Sequence, residues 1–230
     1  MKKLVSGFAV MNLLAVGWAV TTALTVWLVM MYAPVDAELG YSQKIFYVHI
    51  GSAAAMMIAV LSAFICSILY LVRRNLRADN YAVASAQTAA VVGAIVLITG
   101  MMWAKAAWGT FFPLTEVKLL IFLLLWVIFV AYIILRNAIE DSGIKRAGSA
   151  VFAVFGFLTM PFVLFINRWA EMPSQLHPTV ITAHDSGMEP RMLVTLLCSI
   201  VSWLLAGAVL IIVRAKIAEI EQAFETLETK

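Results

Sequence analysis

Three histidines, His49, His177 and His184, are the side chains in this sequence best suited to binding a metal or moving a proton. His49 lies about one turn inside an apolar stretch, in Lys44-Ile45-Phe46-Tyr47-Val48-His49-Ile50-Gly51-Ser52. An ionisable residue in such a place is costly, so a functional role is the default reading, against the plainer one of an interfacial histidine bonded to a nearby carbonyl. His177 and His184 fall in a polar connection, where each alone reads as a solvated loop histidine. Together with His49 they offer two neutral imidazoles from separate elements, enough to fill both axial positions of a haem iron. An isolated zinc would want a third or fourth ligand, and only Asp185 or Glu171 could serve. Cys66 and Cys198 both sit in apolar runs, form no C-x-x-C, and read as packing residues.

A second constellation is aromatic: Trp103-Ala104-Lys105-Ala106-Ala107-Trp108-Gly109-Thr110-Phe111-Phe112-Pro113. It reads either as an interfacial aromatic belt or as a flat apolar shelf for a planar ligand. On the second reading Gly109 allows close backbone approach and Lys105 can meet a carboxylate. Arg168 and Trp169 supply a further cation and a further aromatic face. Haem combines an apolar face, two propionates and an iron, which matches this inventory. No nucleophile paired with a base is visible, so an enzyme is not indicated.

The elements that must position these residues follow from composition. Of 230 residues, 63% are hydrophobic and 13% charged, against about 25% charged in a soluble domain. That excludes a soluble globule, a disordered chain and a nucleic-acid binder, and indicates an all-α polytopic membrane protein. Six apolar stretches have the length of a transmembrane helix, at about 6–31, 45–72, 81–102, 117–135, 148–167 and 192–213. The first is too long for a signal-peptide core and is read as a retained helix. Basic residues divide unevenly between the two sides, 11 with the termini and 5 opposite (Lys44, Lys105, Lys118, Arg168 and Arg191). By the positive-inside rule both termini are cytoplasmic, and all three histidines face outward. Five of the six prolines lie in or beside the outer connections, while Pro161 falls inside the fifth span and should kink it. Ile217, Ile220, Phe224 and Leu227 recur at helical spacing, so the tail from about 214 to 230 is expected to continue the sixth helix. No repeat or second domain is visible, and 1–230 is read as one six-helix unit.

Three blocks, in order, resemble a known family. They are Lys44-Ile45-Phe46-Tyr47-Val48-His49, then Trp103-x-Lys105-x-x-Trp108-Gly109-Thr110 with its aromatic pair, then Trp169 followed by Gln175-Leu176-His177. The chain is similar to the haem-handling proteins of cytochrome c biogenesis, most of all the C component of the type I cytochrome c maturation system. The resemblance implies a protein that binds haem b at the outer face of a bacterial or archaeal cytoplasmic membrane. It implies partners: an ATP-binding-cassette transporter, a small membrane subunit, and a membrane-anchored haem chaperone that receives the haem. By the same analogy His49 and His177 are the axial ligands, with Trp103, Trp108, Phe111 and Phe112 as the shelf. The family's tryptophan-rich segment usually continues Trp-Trp-x-Trp-Asp. Here Phe111 and Phe112 replace the tryptophan pair, the following Trp-Asp is missing, and the connection to Leu114-Thr115 is shorter. Phenylalanine keeps the apolar face but lacks the indole donor, and Glu116 is the acid that could stand in for the lost carboxylate.

Two alternatives belong to other classes. A haem-containing anchor for electron transfer would also pair histidines, but inside its helices, and only His49 lies in a span. A small-molecule permease would place polar groups near mid-depth, where Asn12, Gln87 and Thr99 are too sparse to outline a path.

Overall fold

The computed structural model describes residues 2–169, Leu176 and 188–228. Six helices make up nearly all of it: α1 (Lys2–Trp27), α2 (Ile45–Arg73), α3 (Leu76–Trp108), α4 (Val117–Ala138), α5 (Ser142–Trp169) and α6 (Pro190–Glu228). Each contains a segment long and apolar enough to cross a membrane, and among the described residues there is no strand.

The helices run longer than their apolar cores. α3 begins at Leu76 because Asn75 caps it, its side-chain oxygen accepting from Arg77 N at 2.9 Å and Ala78 N at 3.4 Å. Apolarity alone places that start near 81, since Arg77 and Asp79 interrupt the run. At its other end α3 continues to Trp108, so Trp103, Lys105 and Trp108 belong to its last turns and not to a loop. With 33 residues it is about 50 Å long, well beyond a hydrocarbon core of about 30 Å, which lets polar groups at both ends reach outside. α5 runs through Pro161 without interruption. α6 continues through the amphipathic tail to Glu228, as the spacing of Ile217, Ile220 and Phe224 predicts.

Short connections make successive helices antiparallel. α2 and α3 are joined by Arg74 and Asn75 alone, with Arg74 in the left-handed conformation at φ 52°. The starts of α2, α4 and α6 therefore share one end of the bundle with the finish of α3, and the opposite termini share the other. Contacts across the bundle agree: Ser199 of α6 bonds the Tyr47 carbonyl of α2 at one end, and Asn80 of α3 bonds Gln222 of α6 at the other.

α2 is central, packing on α3, α5 and α6, and α3 supports it with a face of small residues. Ala82, Ala86, Ala89 and Ala90 are buried there and let the backbones approach closely. Met56, Val60, Leu125, Phe129 and Tyr132 fill the main core. α1 lies at the edge, with Leu13, Val16 and Val20 exposed along it, an apolar surface suited to lipid.

Candidate functional site

The site is built at the end of the bundle where α2 begins and α3 finishes. His49, in the second turn of α2, turns its ring onto α3. Its Nδ1 lies 3.1 Å from the Val96 carbonyl and 3.2 Å from Thr99 Oγ1. A carbonyl can only accept, and the Thr99 hydroxyl already donates to Ile95 O at 2.7 Å. The network thus puts the proton on Nδ1, leaving Nε2 with a lone pair. No described residue forms a hydrogen bond to that Nε2. A bond to a backbone carbonyl is what the plainer reading of an interfacial histidine predicts, and a metal-binding imidazole uses the same bond to fix its tautomer and ring angle.

The ring fits because residue 100 is glycine. A Cβ there would stand 2.9 Å from His49 Cε1. Val96, Thr99, Gly100 and Trp103 fall on one stripe of α3, so the indole of Trp103 sits one turn beyond the imidazole. Trp103 and Trp108 meet edge to face with centroids 5.4 Å apart. Trp103 Nε1 is buried with no hydrogen-bond partner among the described residues, and a bound carboxylate would satisfy it.

α3 ends at Gly109, whose φ of 74° is the left-handed conformation that favours glycine at this position. Lys105 folds back over this end, donating to the Gly109 carbonyl at 2.8 Å and lying 5.5 Å from the centre of the Phe111 ring. Phe111 itself is 54% exposed. Phe112 is half-buried beside it.

The support beneath His49 comes from α6. Ser199 donates to the Tyr47 carbonyl at 2.7 Å, and Tyr47 is fully buried against Leu196 and Ala33. Before α2, Asp36 closes a turn by accepting from Leu39 N at 2.7 Å and Glu38 N at 2.9 Å. These two bonds hold its carboxyl below its ordinary value. Lys44 then ties the start of α2 to the finish of the first span, donating to Met30 O at 3.1 Å.

Of the residues singled out from sequence, His49, Trp103, Lys105, Trp108, Gly109, Phe111 and Phe112 come to this one end. Arg168 and Trp169 are the last two residues of α5, and their side chains lie outside the described residues, as do His177 and His184. Gly100, Thr99 and the Val96 carbonyl were not expected. A glycine in mid-helix was the available signal for the first, but nothing local says which ring it faces. Asp185 and Glu171, the acids of the zinc alternative, also lie outside the described residues.

A family model described as "Heme exporter protein C" matches residues 3–230. Curated relatives of that name include proteins of Rhodobacter capsulatus, 31% identical over 149 residues, and of Escherichia coli K12, 28% identical over 185. A third, from Bradyrhizobium diazoefficiens, is 27% identical over 173 residues. The alignments cover 63%, 80% and 75% of this chain and 61%, 74% and 65% of the respective relatives.

Proposed function

This chain belongs to the haem exporter protein C family, and we propose that it binds haem b at the outer face of the cytoplasmic membrane and presents it to a membrane-anchored haem chaperone for cytochrome c maturation. The observation that carries this reading is His49, with its Nδ1 held by the Val96 carbonyl and its Nε2 left as a lone-pair donor beside an aromatic helix end.

On this reading haem is the cargo and the chain's work is positioning. His49 and His177 hold the iron, Trp103, Trp108, Phe111 and Phe112 cover one face of the ring, and Trp169 adds a further aromatic edge. Lys105 or Arg168 meets a propionate. Lys105 already spans from Gly109 to Phe111, so releasing one carbonyl bond frees it for a carboxylate, to which a charged donor bonds more strongly. The buried indole N–H of Trp103 is a second donor fitted to such an oxygen. The chain acts as one six-helix unit with a helical tail over 214–230 and carries out no turnover of its own. An ATP-binding-cassette transporter and a small membrane subunit are its partners in the same complex. The excess of basic residues on the side of the termini supports cytoplasmic N- and C-termini in a bacterial or archaeal membrane.

The test is an absorption spectrum of the detergent-purified protein, oxidised and reduced, for wild type, His49→Ala, His177→Ala and the double variant. A haem b spectrum in wild type, weakened by each single substitution and abolished by both, is expected. A double variant with the full wild-type spectrum would refute the axial assignment.

A further inference from the structure

A cleft opens on the outer flank of α3, in the half of the bundle that carries the chain termini. It holds about 310 Å³ and is lined by Gln87, Thr88 and Val91 of α3, Ile133 of α4, and Leu210 and Arg214 of α6. α4 and α6 both pack on α3 and form the two walls, and Val91, 60% exposed, lies open between them. The lining is mostly apolar, with one cation at its edge. Arg214 Nε donates to Gln87 Oε1 at 2.9 Å. That bond turns the Gln87 oxygen toward the guanidinium, so the Gln87 amide nitrogen and the two terminal nitrogens of Arg214 remain as donors without an acceptor among the described residues. The Thr88 hydroxyl already donates to Ala84 O at 2.8 Å. Other cations at this end have a carboxylate: Arg77 and Lys216 meet Glu219, and Arg136 and Arg146 meet Asp79. Arg214 has an amide in that place.

We propose that this cleft binds an anionic phospholipid of the leaflet on the side of the termini, with an acyl chain along Val91, Ile133 and Leu210 and the phosphate on Arg214 and Gln87. Depth supports this occupant. Gln87 and Lys105 are 18 residues apart on α3, about 27 Å at 1.5 Å per residue. A hydrocarbon core is about 30 Å thick. With Trp103 and Lys105 at one interface, Gln87 and its partner Arg214 stand near the other, where lipid headgroups begin. Charge supports it as well. A guanidinium at the edge of the hydrocarbon with no carboxylate beside it is costly until an anion or water meets it, and its planar fork matches two phosphate oxygens. A zwitterionic lipid brings its own ammonium to compete for that phosphate, whereas an anionic headgroup does not. Basic pockets between transmembrane helices on the cytoplasmic side hold headgroups in this way. The apolar walls then select a lipid over a free anion, because phosphate alone would leave Val91, Ile133 and Leu210 uncovered. The site is separate from the proposed haem site and does not depend on it.

The experiment titrates the detergent-purified full chain with dioleoyl phosphatidylglycerol or dioleoyl phosphatidylcholine and counts bound lipids by native mass spectrometry. Circular dichroism verifies equal helix content in each variant. The wild type is expected to take its first phosphatidylglycerol about fivefold more tightly than its first phosphatidylcholine, the scale of one basic residue acting on an anionic lipid. Arg214→Gln should abolish that preference. Arg73→Gln removes the same charge from an exposed place at the same end of the bundle and should keep it. Val91→Trp fills the open floor of the cleft and should weaken the first binding of both lipids. This variant tests the site independently of Arg214, since position 91 is exposed and a larger side chain there disturbs no core. Glycerol phosphate in molar excess should leave the bound lipid in place. A wild type without the preference, or an Arg214→Gln protein that retains it, would overturn the proposal. So would an equal loss in Arg73→Gln, which would mean attraction to net charge alone. Val91→Trp with wild-type affinities would remove the acyl chain from the cleft, and displacement by glycerol phosphate would make the site one for a free anion; either result overturns the lipid as occupant.

Discussion

At the scale of single residues, the behaviour of His49 is decided by what stands behind it. The Val96 carbonyl orients the ring through Nδ1, Thr99 adds a second acceptor, and Gly100 leaves the space the ring occupies. Gly100→Ala places a methyl group 2.9 Å from Cε1 of a ring that cannot retreat without losing its Nδ1 bond. Overpacking of this kind costs about 1–3 kcal/mol. The expected result is a folded protein with a lower melting temperature and, if His49 holds the iron as proposed, less haem retained per molecule, since the displaced imidazole no longer presents its lone pair. Unchanged haem retention would show that the ring has room to move. His49 was legible in the sequence because an ionisable residue stands out in an apolar span. Gly100 was not, because its meaning depends on a neighbour 51 positions earlier in the chain, and no local pattern records which helix packs on which. His177 was equally legible by type, but its placement falls outside the described residues.

At the scale of elements, helix existence follows from apolar length, while helix ends follow from caps and from charges that find partners. Apolarity marks six spans, yet α3 extends at both ends because Asn75 caps its start and Gly109 closes it. The tryptophans and lysine of 103–108 lie past the apolar stretch of 81–102, because such residues are what an interface contains. In the structure they are the last helical turns of α3. The close seam between α2 and α6 was also hidden: a Cβ on Gly51 would lie 2.5 Å from the Trp203 ring and 2.7 Å from Ser199 Oγ. The turn before α2 gives a prediction with a definite sign. Leu39 N and Glu38 N hold the Asp36 carboxyl below its ordinary value of 3.8. A folded pKa below the unfolded one means that the turn's contribution is fully present above about pH 3.8 and fades as pH falls through the lower, folded value. Hydrogen exchange should find the Leu39 and Glu38 amides protected at neutral pH and released in acid, after correction for the intrinsic exchange rate. Asp36→Ala should lose that protection at every pH, and protection that survives the substitution would mean another group holds the turn.

At the scale of the whole molecule, the two ends of the bundle are built differently. The end with His49 is aromatic, with polar groups directed at backbone carbonyls and amides. The opposite end is a knot of charges and amides. Asp79 of α3, 2% exposed, accepts from Arg136 of α4 at 2.9 and 2.6 Å, and Arg146 of α5 lies 3.5 Å away. Beside it Asn80 and Gln222 exchange two bonds of 3.1 and 2.7 Å, which anchors the long tail of α6. Asp79→Ala leaves two guanidinium groups with no carboxylate between them, and breaking a buried pair in this way costs about 3–5 kcal/mol. The melting temperature should fall further than in Gly100→Ala. Asp79 and Gly100 are nonetheless about 30 Å apart along α3 at 1.5 Å per residue, well beyond the range over which substitutions normally couple. The Asp79→Ala protein that remains folded should therefore keep the wild-type haem spectrum, and the double variant's loss of stability should equal the sum of the two single losses. A shifted spin state in Asp79→Ala would contradict this independence and show that α3 transmits the state of the charged end to the ring that faces Gly100. Additive stability with an unaltered spectrum would instead divide the molecule as its side chains do, into a charged end that holds the helices together and an aromatic end left free to hold and release its cargo.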